Sequence, residues 1–200
     1  MGWPLPQRAG ISFGGSMGFG RRGAQGVPGA LALTATLDEI SQVTDPYKTS
    51  EDRLRRNLLY LTRSRIGYVY MQDCGVRLER RKITAWLAED RTPSAEQQLS
   101  LEDAFRLLRR RNMAASLTRR LNADGGTRME IYPVDQSGVD PKHQRVARWR
   151  RKNIYRWDGI VEAWSRSDLQ DLTHQWEDVI SDLDSDWRQY EHVTHLGFWA

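Results

Sequence analysis

Three sets of side chains in this sequence have the types and spacing that chemistry needs. The first is the basic run holding Arg77, Arg80, Arg81, Lys82 and Thr84. Guanidinium forks match phosphate oxygens and the O6/N7 edge of guanine, and a threonine hydroxyl can bond a base edge. A helix turning these residues outward could read duplex DNA. The second set is Glu191, His192 and His195, with His143 and His174 elsewhere. On a strand, residues three apart point to opposite faces, so these two histidines do not converge on one metal ion. The third set is Asp178, Asp182 and Asp186, spaced by four. With a histidine they could hold a divalent ion for metal-dependent nuclease chemistry, although such a row is more often a solvated helix face. There is no cysteine pair, no HExxH and no strand-flanked Gly-rich loop with Gly-Lys-Ser/Thr. No catalytic residue, metal ligand or cofactor is therefore expected.

Helices must position the basic run. Residues 66–71 are a short apolar segment, and Asp73-Cys74-Gly75 reads as a turn in which Gly75 supplies a positive φ. A second helix over about 79–89 would bury Ile83, Trp86 and Leu87, at i, i+3 and i+4. Arg77, Arg80, Arg81 and Thr84 then point away from the body, as a major-groove reader requires. Upstream, Ser50 is a plausible N-cap, and Leu54, Leu58 and Leu61 form the apolar stripe of a helix that leaves Arg53, Arg56 and Arg63 outside it. Downstream, Ser94 caps a helix with Leu101, Phe105 and Leu108 facing inward. Met113, Leu117 and Leu121 continue it, and Gly125-Gly126 stop it. Arg53, Arg63, Lys82, Arg109 and Arg110 are the expected phosphate contacts.

The charge distribution agrees with a polyanion partner. Residues 48–156 carry 25 basic and 13 acidic side chains, whereas residues 157–200 carry 2 and 10. A basic body with an acidic end suggests one nucleic-acid face and one separate surface. Nine of the sixteen glycines fall in residues 1–30, which reads as a disordered leader. The single cysteine excludes an internal disulfide and points to a reducing, cytoplasmic setting. No apolar run is long enough to span a membrane.

The last third is rich in tryptophan. Val146, Trp149, Asn153, Trp157, Ile160 and Trp164 fall at helical spacing, as do Leu169, Leu172, Trp176, Val179, Leu183 and Trp187. This pattern predicts an antiparallel helical hairpin with a seam of rings and Ser167 as the cap of its second helix. Residues 128–134 read as a strand with Met129, Ile131 and Pro133 on one side and Glu130, Tyr132 and Val134 on the other. Residues 191–199 read as a strand that could pair with it.

The run GVRLERRKITAWLAEDRTPS, residues 75–94, resembles the recognition helix and following loop of lambda-repressor-like helix-turn-helix proteins of phages, plasmids and actinobacterial mobile elements. Gly75-Val76 match the turn, Ile83 the aliphatic position, Trp86-Leu87-Ala88 the closing triplet, and Arg91 with Pro93-Ser94 the loop. The likeness extends over about residues 50–111. The distance from Gly75 to Trp86 is longer than in that family, and Tyr68, Val69 and Tyr70 stand where small residues are usual. The resemblance implies a transcriptional regulator, or a replication or maintenance factor, of a phage or plasmid. The expected fold is mainly α: a helix-turn-helix domain over 45–122 and a small α+β module over 127–200. Arg77, Arg80, Arg81 and Thr84 are expected to contact bases of double-stranded DNA, with a homodimer through residues 127–200. Two other readings are an assembly protein whose basic face binds nucleic acid without regard to sequence, and the metal-dependent nuclease.

Overall fold

The computed structural model describes residues 18–19, 23–44, 49–76, 79–183 and 187–199, with residues 18, 19, 50, 80, 187, 188 and 199 described by backbone alone. Most of the expected leader, residues 1–17 and 20–22, and the expected break at Asp45-Pro46 lie outside the described residues. The described chain is mainly helical with a small antiparallel sheet, and it divides into two compact units. One is Met1–Ile40 with Ala114–Ala200; the other is Ser41–Met113. None of the described helices is long and apolar enough to cross a membrane.

The unit of residues 41–113 holds helices α2 (Ser50–Leu61), α3 (Arg65–Asp73), α4 (Arg80–Leu87) and the first part of α5 (Ala95–Leu121). Their apolar stripes meet in one core of Leu58, Leu61, Met71, Ile83, Trp86 and Phe105 with their neighbours. Three of these helices start at a side-chain cap. The N-cap of α2 is Thr49, not Ser50: its hydroxyl accepts from the Asp52 amide at 3.2 Å. Ser64 caps α3 by accepting from the Gly67 amide at 3.3 Å. Ser94 and Gln97 cap α5 reciprocally, at 3.3 and 3.0 Å. The stop of α3 follows from Gly75, whose φ of 84° is closed to most side chains. Its amide donates to the Gln72 carbonyl, and the next amide, of Val76, donates back to Met71, both at 2.9 Å. This 6→1 and 5→2 pair turns Val76 into the core beside Met71.

The other unit is built on a sheet of β3 (Val27–Pro28), β6 (His192–Trp199), β4 (Thr127–Pro133) and β5 (Arg150–Ile154), in that order and antiparallel throughout. A two-stranded ribbon of β1 (Gly18–Phe19) and β2 (Ala24–Gln25) precedes it. The expected pairing of residues 128–134 with 191–199 is present, with Ile131 opposite Leu196 and a register shift at Pro133, which has no amide hydrogen to give. Helices α1 (Gly29–Ile40), α6 (Asp158–Arg166) and α7 (Leu169–Ser181) complete the unit. Met129 and Ile131 are buried on the inner side of the sheet, and the core holds Trp157, Trp164 and Trp176, all fully buried.

Three sequence expectations are corrected here. The first helix of the tryptophan hairpin does not begin near Val146. Residues 144–149 have no regular structure, residues 150–154 are β5, and the helix starts only at Asp158. Like charges three and four apart from Arg145 to Arg156 oppose a helix, while pairing to β4 supplies a ladder and a carboxylate, Glu130, beside Arg151. Ser167 is not a cap of α7 but the left-handed link after α6, at φ 58°; Asp168 caps α7, accepting from the Asp171 amide at 3.0 Å. The N-terminal segment also differs from expectation. Residues 24–30 are strands and a helix start, and β3 and α1 belong with the C-terminal sheet.

Candidate functional site

The sequence-derived site centres on α4. Ile83 and Trp86 are buried and Leu87 partly so, which fixes the rotation of the helix; Arg81 and Thr84, three apart, are exposed on the side away from the core. Of the other expected base contacts, Arg77 lies outside the described residues, and Arg80 is the first residue of α4 with only its backbone described. Glu79 occupies the N-cap position without a side-chain cap bond. Its carboxylate instead accepts from the Lys82 ammonium at 2.6 Å. This exposed pair is worth little, and Lys82 can exchange it for a phosphate.

The expected phosphate contacts divide. Arg63 is exposed in the link between α2 and α3, with Arg65 exposed just after it. Arg53 is half-buried, and its Nε is shut off from solvent. Arg109 and Arg110 are not free cations. Arg109 donates to the Ser41 carbonyl at 3.2 Å and lies 5.7 Å from the Tyr60 ring centre. Arg110 is only 6% exposed. Arg109 is thus engaged within its own unit and Arg110 is withdrawn from solvent, which sets both apart from the exposed Arg63. Cys74 is half-buried; burial first, then Asp103 and Asp73, push its thiol up, so it is a poor nucleophile.

The acidic row of α7 does not assemble a metal centre in the described residues. Asp182 accepts from Lys152 at 3.0 Å, Asp178 is exposed, and Asp186 lies outside the described residues. No group of three or more His, Cys, Asp or Glu side chains there could hold a metal ion.

A second cluster, hardly visible in the sequence, occupies the outer face of the sheet. Glu130, Tyr132, Arg151, Gly197 and His195 share this face through the registers Glu130–Arg151, Glu130–Gly197 and Tyr132–His195. Glu130 is buried; its carboxylate accepts from Arg151 Nε and from the Tyr132 hydroxyl, both at 2.8 Å. Tyr132 stacks on His195, with ring centres 4.0 Å apart and 16° between planes, and on Trp149 at 6.5 Å and 24°. The Arg151 guanidinium lies over the Trp149 ring at 4.7 Å. Burial lowers the His195 pKa, and the Glu130 charge opposes this. The period-two alternation of residues 128–134 put Glu130 and Tyr132 on one side, but their partners come from strands remote in sequence. The spacing of Trp149 points instead to a helical seam.

No protein family, curated protein or solved structure matches this chain.

Proposed function

We propose that the chain is a non-enzymatic, sequence-specific double-stranded DNA-binding protein, in which α3 and α4 act as a helix-turn-helix and α4 is the reader. The observation that carries this reading is the division of α4: Ile83 and Trp86 are locked into the four-helix core while Arg81 and Thr84 stand exposed on the opposite side. A reader needs that combination of rigid seating and outward polar groups. Arg63, Arg65 and Lys82 supply backbone contacts nearby in sequence, and the uncapped start of α4 suits a phosphate oxygen. The role as transcriptional regulator or maintenance factor of a mobile element rests on the resemblance of residues 75–94. The proposal includes a homodimer formed through the C-terminal module.

Sequencing the genomic fragments retained by the full chain tests the reading. One enriched inverted repeat is the expected result. Arg81→Ala should lower affinity for that site by ~1–3 kcal/mol and relax preference at one base pair, as for a bidentate guanine contact. Arg63→Ala should weaken all sequences alike and reduce the salt slope by about one. Retention without enrichment, with Arg81→Ala indistinguishable from the parent, would overturn the reader assignment.

A further inference from the structure

We propose that the outer face of the sheet, along β5, is a second nucleic-acid site that takes single-stranded DNA by base stacking. Alternate positions along this edge strand and its flanks read Trp149, Arg151, Asn153 and Tyr155. The register puts Arg151 and Asn153 on the outer face, opposite Glu130 and Arg128. Trp149 joins that face through its stacking on Tyr132 and its contact with Arg151. Trp149 is 48% exposed and Tyr155, at the other end of the strand, 69%. Large rings with this much surface in water need a reason when the same unit buries Trp157, Trp164 and Trp176 completely.

The chemistry around the rings selects the occupant. Arg128 is exposed on this face and Arg151 half-exposed. The carboxylate among them, Glu130, is buried and bonded to Arg151 and Tyr132, so it presents little negative charge outward. Aromatic faces beside an exposed cation along an extended track fit unpaired bases and their phosphates: a base stacks on a ring while Arg128 meets a phosphate. A duplex keeps its base faces inside the stack and cannot use Trp149 in this way. Tyr132 and His195 back the platform from behind, their rings held nearly parallel by cross-strand pairing. The choice of DNA over RNA rests on the duplex-DNA reading of the other unit; the site itself does not.

Fluorescence anisotropy of the full chain with labelled oligothymidylate, oligouridylate and a random duplex tests this. Oligothymidylate should bind most tightly. Trp149→Ala should weaken it between about 5-fold and about 150-fold, the range for loss of one stacked base, and Trp149→Phe should restore most of the loss. Arg128→Ala should lower the salt slope by about one. Trp149 and Arg128 are exposed, so these variants keep the fold, which circular dichroism verifies. The double variant Arg81→Ala/Thr84→Ala should leave oligothymidylate binding unchanged, and Trp149→Ala should leave any sequence selection on duplex unchanged, so either site can fail alone. Equal affinity for Trp149→Ala and the parent, or tighter binding of the random duplex or of oligouridylate, overturns the proposal.

Discussion

Inside the sheet unit, single buried bonds are worth more than their number suggests. The Trp164 indole N–H donates to the Asp38 carboxylate at 2.9 Å, and Asp38 is 6% exposed. Trp164→Phe removes the donor and also trims the fully buried ring system, so it should cost at least the ~1–3 kcal/mol of a buried polar group losing a partner, read in urea unfolding. Gly29 is needed for a different reason: a Cβ there would lie 2.0 Å from Trp176 Cε2. Alanine's better helix propensity, at most ~1 kcal/mol, does not offset an overlap costing ~1–3 kcal/mol. Gly29→Ala should therefore lower the melting temperature, and a raised one would contradict the close packing. Burial also sets a pH dependence. It pushes the His192 and His195 imidazoles below their ordinary 6.5, with Glu191 and Glu130 opposing. Below 6.5 the unfolded chain then binds more protons than the folded one, so stability is highest above that value and falls as the medium is acidified through the lowered pKa values. Replacing both histidines by glutamine should flatten this part of the profile, measured as urea midpoints at about pH 7.5 and about pH 5.5. An unchanged profile would remove the histidines as its cause.

Among the helices, the reciprocal cap at the start of α5 is the most separable contributor. Ser94→Ala should destabilise the helical unit by ~1 kcal/mol and Gln97→Ala by less, read by denaturant unfolding. If Ser94→Ala leaves the midpoint unchanged, that bond does not count. The caps also explain what could be read from the sequence. The stop of α3 at Gly75, the buried face of α4 at Ile83, Trp86 and Leu87, and the start of α5 at Ser94 are each legible locally, and the expected bounds lie within a residue or two. The α2 start slipped by one because Thr49 and Ser50 offer the same hydroxyl. β5 was not legible. Val146, Trp149, Asn153 and Trp157 do fall at helical spacing, and the repulsion among the basic residues there together with the open edge of β4 draws residues 150–154 into a strand. The candidate sites divide for the same reason. Arg81 and Thr84 follow from the burial of Ile83 and Trp86 on their own helix. The packed state of Arg110, and the row of Trp149, Tyr132 and His195, depend on neighbours that periodicity along one element does not identify.

At the scale of the molecule, the sheet unit is assembled from two stretches of chain separated by the helical one. β3 and α1 come from the first stretch, and α1 packs against both β6 and α7. Removing residues 1–40 should strip a strand from β6 and uncover Trp176, giving a red-shifted tryptophan emission and a lower midpoint for this unit. Among the described residues the core of residues 41–113 is built from side chains of that stretch, so its helical signal should persist. A truncated chain with the parent's emission and midpoint would mean that β3 and α1 contribute nothing. The same interleaving sets a timetable on the ribosome. Val27 waits for Val193, a delay of roughly 10–30 s at ~5–20 residues per second. In that interval the helical stretch has all its partners and can fold. The nascent segment that becomes α1, with Leu33 and Leu37 as yet uncovered, is then a natural client for a holding chaperone.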